Sequence, residues 1–371
     1  MKTNYSRPIS LAENISQFSN FLCSDDCLNT IAIFRQMGVE IDLNKESKIV
    51  QVKGVGLHGL TQPKETLDVG NSGTGIRLIS GVLAAQAFTS TITGDASIQT
   101  RPMKRIINPL SQMGASIEAC TKKDGPDLYP PLTIKRVAAL HGITYTMPVA
   151  SAQVKSAILL AGLYADSPTT IIEPAPSRNH TETMLKAFNV ELSIHGNEIQ
   201  LTPPKQLKNP FEGAIPIPAD ISSAAFFIAL GLICPGLSLT LKNIGMNPTR
   251  AAIVDMFKQM GGDIQVSAIK EGVEPYADIQ VRASSLNNIN IPKDVIAYII
   301  DEIPILSVVS MFASGKMTIR GAEELRHKES DRIEKIVHLV TQFGGDITEF
   351  SDGFQIKGQL NPKQPTIQTG Y

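Results

Sequence analysis

Carboxylates and cations gather at a few places in this chain where packing has no use for them. In "AYIIDEIPILSVV" (297–309), Asp301 and Glu302 sit inside an apolar run. Carboxylates are rarely buried without a partner, so the pair is expected to be ion-paired or catalytic, and a partly desolvated carboxylate is a competent general base. Shortly after, "EELRHKESDRI" (323–333) crowds Arg326, Lys328, Glu329 and Arg332 into one loop and helix start. Lys328 and Arg332 are four apart and are expected on one helical face. Upstream, "GDASIQTRPMKRI" (94–106) holds Arg101, Lys104 and Arg105 beside a turn, and "EPAPSRNHTETML" (173–185) sets Ser177 and Arg178 before a helix. "VASAQVKSAILLAG" (149–162) opens with Ser151 and Gln153, at a helix N-terminus whose free N–H groups and dipole favour anions. Finally, "GNSGTGIR" (70–77) follows the strand-like "ETLDV" with three glycines and an arginine, freeing the backbone to approach a ligand.

Each segment alone is explained as well by a capped helix with solvated charges; Asn71 or Ser72 would cap the glycine loop and Asp220 a later helix. The glycine loop matches neither the P-loop nor the dinucleotide fingerprint. Together, however, the cations exceed what one phosphate needs. A reaction joining two anionic small molecules does need them, because the reactants' mutual repulsion must be offset before they meet. Arginine suits carboxylates and phosphates through its planar fork. No metal-ligand cluster is legible, so protein cations are expected to do this work without a metal.

The elements that must position these residues repeat. Five times an amphipathic helix ends in an apolar residue and Gly or Asn, followed by an alternating strand: "FRQMGVEIDL", "LSQMGASIEA", "LKAFNVELSI", "FKQMGGDIQV" and "TQFGGDITEF". The turn residues Gly38, Gly114, Asn189, Gly261 and Gly344 are spaced 76, 75, 72 and 83 residues apart. Gly or Asn there is what a left-handed helix C-terminus requires. The period predicts an α/β protein of repeated units, and an even number of units would make two equal domains. A sixth turn falls beyond Tyr371, so the chain reads as one unit short.

Composition narrows the partners. The 371 residues predict about two domains; 42 % are hydrophobic and the net charge is −1, so neither nucleic acid nor a membrane surface is expected as a partner. There is no Trp, which disfavours stacking platforms for bases. Four cysteines (Cys23, Cys27, Cys120, Cys234) without a CxxC pair point to a reducing, cytoplasmic setting. The opening "MKTNYSRPISLAENIS" has no apolar run of signal-peptide length. The uncharged stretch 221–241 is broken by Pro235-Gly236, which predicts a buried helix, a turn and a strand in a soluble protein.

In order along the chain, "LDVGNSGTGIR", "GDASIQTRPMKRIINPL", "ASAQVKSAILLAGL", "PADISSAAFFIALGL", "IDEIPIL" and "ELRHKESDRI" resemble the successive motifs of the 5-enolpyruvylshikimate-3-phosphate synthase family. The resemblance implies a two-domain enolpyruvyl transferase fold with an active site in the cleft between the domains. Each domain has three βαβαββ units, here three in residues 7–218 and only two in residues 219–371, with residues 1–6 joining the second domain. It implies transfer of the enolpyruvyl group of phosphoenolpyruvate to the 5-hydroxyl of shikimate 3-phosphate, with release of phosphate, in aromatic amino-acid biosynthesis. No metal and no cofactor are implied, and a monomer is expected. By the same resemblance, Gly73, Arg101, Gln153 and Arg332 hold phosphoenolpyruvate, and Ser151, Gln153, Ser177, Arg178 and Lys328 hold shikimate 3-phosphate. Asp301 accepts the hydroxyl proton and Glu329 serves proton transfer at the methylene carbon. "KTNYSR" offers Lys2, Thr3 and Arg7 for the family's N-terminal lysine, serine and arginine, with Lys2 counted among the catalytic groups.

Besides Thr3 in place of the serine, the sequence departs from the family at three further points. Asn179 stands where Asp is usual, and Ala219 where Gly is usual, which would strain the turn if its φ were positive. At the end, "IQTGY" stands where the family continues into an Asp-His-Arg motif and a last lysine. An alternative is therefore a shortened, inactive or weakly active remnant that still binds shikimate 3-phosphate. The sister transferase acting on a nucleotide sugar carries a reactive loop cysteine that "GDASIQTRPM" lacks.

Overall fold

The structure is a computed structural model that describes residues 10–121, 125–327 and 330–359. The chain divides between Ile217 and Pro218 into two compact units.

In the first unit one sheet pattern occurs three times. The middle copy joins β4 (Leu67–Asp68), β5 (Ser90–Thr93), β7 (Leu128–Lys135) and β6 (Ser116–Thr121) in that order. The next joins β8 (Thr144–Thr146), β9 (Thr169–Ile172), β11 (Glu198–Leu201) and β10 (Leu192–His195). The remaining copy takes β12 (Ala214–Pro216) from the end of the unit and pairs it with β1 (Ile15–Ser19), β3 (Ile49–Lys53) and β2 (Glu40–Asn44). In each, the first two strands are parallel and the others antiparallel. Pro216 is tolerated because β12 lies at its sheet's edge, where a missing N–H breaks no ladder.

Parallel neighbours need a crossover, and two helices supply it. The helix α2 (Gly73–Leu83) links β4 to β5, and α4 (Ala152–Gly162) links β8 to β9. They cross where Gly81 meets the backbone of Ala157; a Cβ at Gly81 would lie 2.3 Å from the Ala157 carbonyl oxygen. That close crossing brings the N-terminal turns of the two helices together. The helices α1 (Asp25–Gln36), α3 (Lys104–Gln112) and α5 (His180–Ala187) each precede a hairpin. In α1 the buried Cys27, Thr30, Ile31, Ile33 and Phe34 recur at helical spacing.

The second unit repeats the pattern twice. Its sheets are β13 (Ser238–Gly245), β15 (Tyr276–Arg282) and β14 (Asp263–Val266), then β16 (Lys316–Ile319), β18 (Gly353–Lys357) and β17 (Asp346–Phe350). Single parallel bridges stand where a fourth strand lies in the first unit: Ala219 to Ile244, and Asn287 and Asn290 to Ser314 and Thr318. The helices are α6 (Ile221–Ile233), α7 (Ala252–Gln259), α8 (Ile296–Ile299), α9 (Ile303–Phe312) and α10 (Arg332–Gln342). Their core centres on Phe257, Leu306, Ile333 and Phe354.

The five turn residues Gly38, Gly114, Asn189, Gly261 and Gly344 all have positive φ, so each helix ends in the left-handed step that its sequence predicts. The repeated strand and helix pattern is the α/β architecture that the sequence period predicts. Two local expectations need correction. The helix α6 is not buried all round, because Phe226, Phe227 and Leu230 are exposed. Ala219 is not among the residues with positive φ; its backbone bonds Asn243 and Gly245, so the turn carries no strain. No single described helix is long and apolar enough to cross a membrane.

Candidate active site

At the head of α2 the sequence stops the preceding strand with Gly70, whose φ is +58° and whose N–H donates to Asp68 Oδ1 at 2.7 Å. Ser72 caps the helix, its hydroxyl accepting from Gly75 N at 2.9 Å, an arrangement worth about 1 kcal/mol. Asn71 donates to Asp95 Oδ2 at 2.7 Å. The Ile98 N–H and the Asn71 amide hold the Asp95 carboxyl below its usual range, so the turn leading to Arg101 is tied to a fixed anion.

Gly73 opens α2, and two guanidinium groups lie against it. A Cβ at Gly73 would lie 2.8 Å from an Arg101 nitrogen and 3.1 Å from an Arg77 nitrogen. Arg77 donates to Gln153 Oε1 at 2.9 Å, and Gln153 donates from Nε2 to Thr74 Oγ1 at 2.9 Å. Arg77 also reaches the carbonyls of Gly73 and Pro102, at 3.2 and 3.4 Å. The structure therefore brings Gly73, Arg101 and Gln153 together, and adds Arg77 and Thr74. Two planar cations beside a helix N-terminus have the charge and geometry to suit a small, doubly anionic molecule.

Ser151 caps α4, accepting from Val154 N at 3.4 Å. Ser177 and Arg178 are half-buried in the loop between β9 and α5. The Ser177 hydroxyl donates to Glu173 Oε1 at 2.5 Å.

In the second unit Asp301 and Glu302 occupy a break where the chain turns by 113° between the helical segments Lys293–Ile299 and Ile303–Phe312. Both are ion-paired. Asp301 Oδ2 lies 3.3 Å from Arg250 Nη1, and Asp301 Oδ1 lies 3.5 Å from Arg332 Nη1. Arg250 is buried and also reaches Asp220 at 3.6 Å and Glu302 at 3.7 Å. Ser222 donates to the buried Glu302 and accepts from Arg250. Asp220 caps α6 through Ser223 N at 3.1 Å, as expected. Asp301 thus has one oxygen on each of two guanidinium groups, while a third of its side chain remains open (30 %).

The helix that carries Arg332 begins at that residue, with Asp331 as its cap. Arg326 is held by Asp331 at 2.7 Å and Glu349 at 2.8 Å and by two backbone carbonyls, a structural strap rather than a ligand contact. Lys2, Thr3, Arg7, Lys328 and Glu329 lie outside the described residues. Cys120 is exposed on β6. Arg77 was visible within "GNSGTGIR", but only the distant partner Gln153 defines its role; Arg250 had no local signal at all.

Residues 9–369 match the family described as EPSP synthase (3-phosphoshikimate 1-carboxyvinyltransferase). The chain is 47 % identical over 350 residues to the 3-phosphoshikimate 1-carboxyvinyltransferase of Methylococcus capsulatus, covering 94 % of this chain and 78 % of that one. It is 45 % identical over 361 residues to the enzyme of the same name from Thermoanaerobacter sp., covering 97 % and 82 %. Among solved structures, the EPSP synthase of Acinetobacter baumannii superposes with a TM-score of 0.85 at 42 % identity, over 97 % of this chain and 81 % of that one. Fold and motifs first define an enolpyruvyl transferase. The chain belongs to the EPSP synthase family.

Proposed function

We propose that this chain is a transferase of the shikimate pathway. It moves the enolpyruvyl group of phosphoenolpyruvate to the 5-hydroxyl of shikimate 3-phosphate and releases inorganic phosphate. The observation that carries the reading is the pair of guanidinium groups at Gly73. Phosphoenolpyruvate carries a carboxylate and a phosphate on a small frame, which two forks beside a helix N-terminus suit. Glycine at position 73 leaves the approach open.

In this reading Gly73, Arg101, Gln153 and Arg332 hold phosphoenolpyruvate, and Arg77 adds its charge beside Gly73 while it fixes Gln153. Ser151, Gln153, Ser177, Arg178 and Lys328 hold shikimate 3-phosphate, while Lys2, Thr3 and Arg7 supply the N-terminal contacts. Asp301 takes the 5-hydroxyl proton as the oxygen bonds to C2 of the enolpyruvyl group. Glu329 serves the proton transfers at the methylene carbon, and the C2–oxygen bond to phosphate then breaks. The four free cysteines fit a cytoplasmic setting.

The test is phosphate release with both substrates, run beside calorimetry with shikimate 3-phosphate alone. Release that requires both substrates supports the reading. Intact binding of shikimate 3-phosphate without release would return the remnant alternative, and no binding would refute both.

A further inference from the structure

Three buried charges lie at the base of the loop that carries Ser177 and Arg178. Lys155 of α4 is 1 % exposed, and Glu173, next after β9, and Glu182, in the first turn of α5, are 4 % and 2 % exposed. Lys155 Nζ is 2.8 Å from Glu173 Oε2 and 2.6 Å from Glu182 Oε1. It also donates to the Ser177 carbonyl at 3.5 Å, while the Ser177 hydroxyl donates to Glu173 Oε1 at 2.5 Å.

One ammonium faces two carboxylates. Burial pushes the Glu182 carboxyl up, against the pull of Lys155, and Glu182 Oε2 has no hydrogen-bond partner among the described residues. Lys155 and Glu173 form a buried ion pair, with the Glu182 carboxyl on the other side of the ammonium. Such a pair adds little stability over apolar residues of the same volume. It does what apolar residues cannot: it binds both polar groups of Ser177. Residues 174–176 are exposed and 177–179 half-buried, so the loop between Glu173 and α5 has little packing of its own.

We propose that Glu173, with Lys155 as its buried counter-charge, is a positioning residue that anchors Ser177, and with it Arg178, for the phosphate group of shikimate 3-phosphate; this rests on the function proposed above. The Ser177 hydroxyl has one proton to donate. Without ligand it goes to Glu173. When a phosphate oxygen takes that hydrogen bond, Glu173 keeps Lys155 as its partner, so no buried carboxylate is stranded.

Two double variants separate positioning from mere structure. Lys155→Met combined with Glu173→Gln, and Lys155→Met combined with Glu173→Met, both remove the two charges, but only E173Q keeps an acceptor for the Ser177 hydroxyl. Both should melt within a few degrees of each other. By calorimetry without phosphoenolpyruvate, the variant with E173Q should bind shikimate 3-phosphate within about threefold of wild type, and the one with E173M at least about tenfold more weakly. Equal affinities in the two variants overturn the proposal, whether both bind well or both poorly. If the wild type binds no shikimate 3-phosphate, the functional reading fails instead. Amide exchange of Ala175, Ser177, Arg178 and Asn179 then decides the positioning claim: faster exchange with E173M than with E173Q supports it, and equal exchange overturns it.

Discussion

Gly73→Ala should separate stability from substrate binding, with opposite signs. Gly73 is the first residue of α2 and has no positive φ, so alanine is compatible with its backbone. A helical glycine replaced by alanine gains up to about 1 kcal/mol, less at a first-turn position. The new Cβ would lie 2.8 Å from an Arg101 nitrogen, where ordinary contact begins near 3.4 Å. The nitrogen must therefore retreat by roughly 0.6 Å, which is cheap for a long side chain as far as folding is concerned. It is not cheap for a bidentate fork. Charge-assisted bonds are worth about 1.5–3 kcal/mol, and losing half of that weakens phosphoenolpyruvate about fourfold to twelvefold. Steady-state phosphate release should show the Michaelis constant for phosphoenolpyruvate raised by that factor. Shikimate 3-phosphate affinity should be unchanged, and the melting temperature unchanged or higher. An unchanged Michaelis constant, or a protein that melts several degrees lower, refutes the reasoning.

Asp301→Asn should lower turnover by about 10²–10⁴ while shikimate 3-phosphate still binds, and unchanged phosphate release would remove Asp301 from the role of base. Arg250→Met removes a buried cation that faces Asp220, Asp301 and Glu302, so denaturant unfolding should show a loss of about 3–5 kcal/mol; a loss below about 1 kcal/mol would mean that the network around Asp301 is not coupled. Glu182→Gln bears on pH. The folded carboxyl is raised above its ordinary value of 4.5, so its contribution to stability is present below that value and lost as pH rises through the raised one. The E182Q variant should therefore gain on wild type in urea unfolding as pH rises above that ordinary value, and a difference that stays constant with pH would contradict the burial argument.

What the sequence disclosed was local chemistry. Gly38 or Gly344 could be read as a helix end because only glycine or asparagine takes the left-handed step readily, and Ser72, Ser151 and Asp220 because a cap is satisfied within three residues. Gly73 and Arg101 came through motif resemblance, and the structure then supplied the reason that they meet. Arg77 and Gln153 are 76 residues apart, and Arg250 and Asp301 are 51 apart; no periodicity marks such partners. Lys155 carries no sequence signal of its burial, which depends on two carboxylates brought in by later elements. The exposed Phe226, Phe227 and Leu230 were equally hidden, because a helix apolar on every face gives no sign of which face is covered.

The pairing of β12 with β1 has a consequence for how the chain is made. Gln17, Phe18 and Ser19 find their parallel partners at Ala214, Ile215 and Pro216. At ribosomal rates of roughly 5–20 residues per second, some 10–40 s separate the emergence of the two strands. Throughout that interval β1 can pair with β3 on one side only, and its other edge is an open template for any strand nearby. The two sheets built on β4 to β7 and β8 to β11 draw all their strands from contiguous sequence and can form as they emerge. The first unit should therefore mature out of order, its earliest strand waiting for its last. Slowing translation while residues 214–216 are still inside the ribosome should expose nascent chains to edge-driven aggregation, whereas a pause after they have emerged should not.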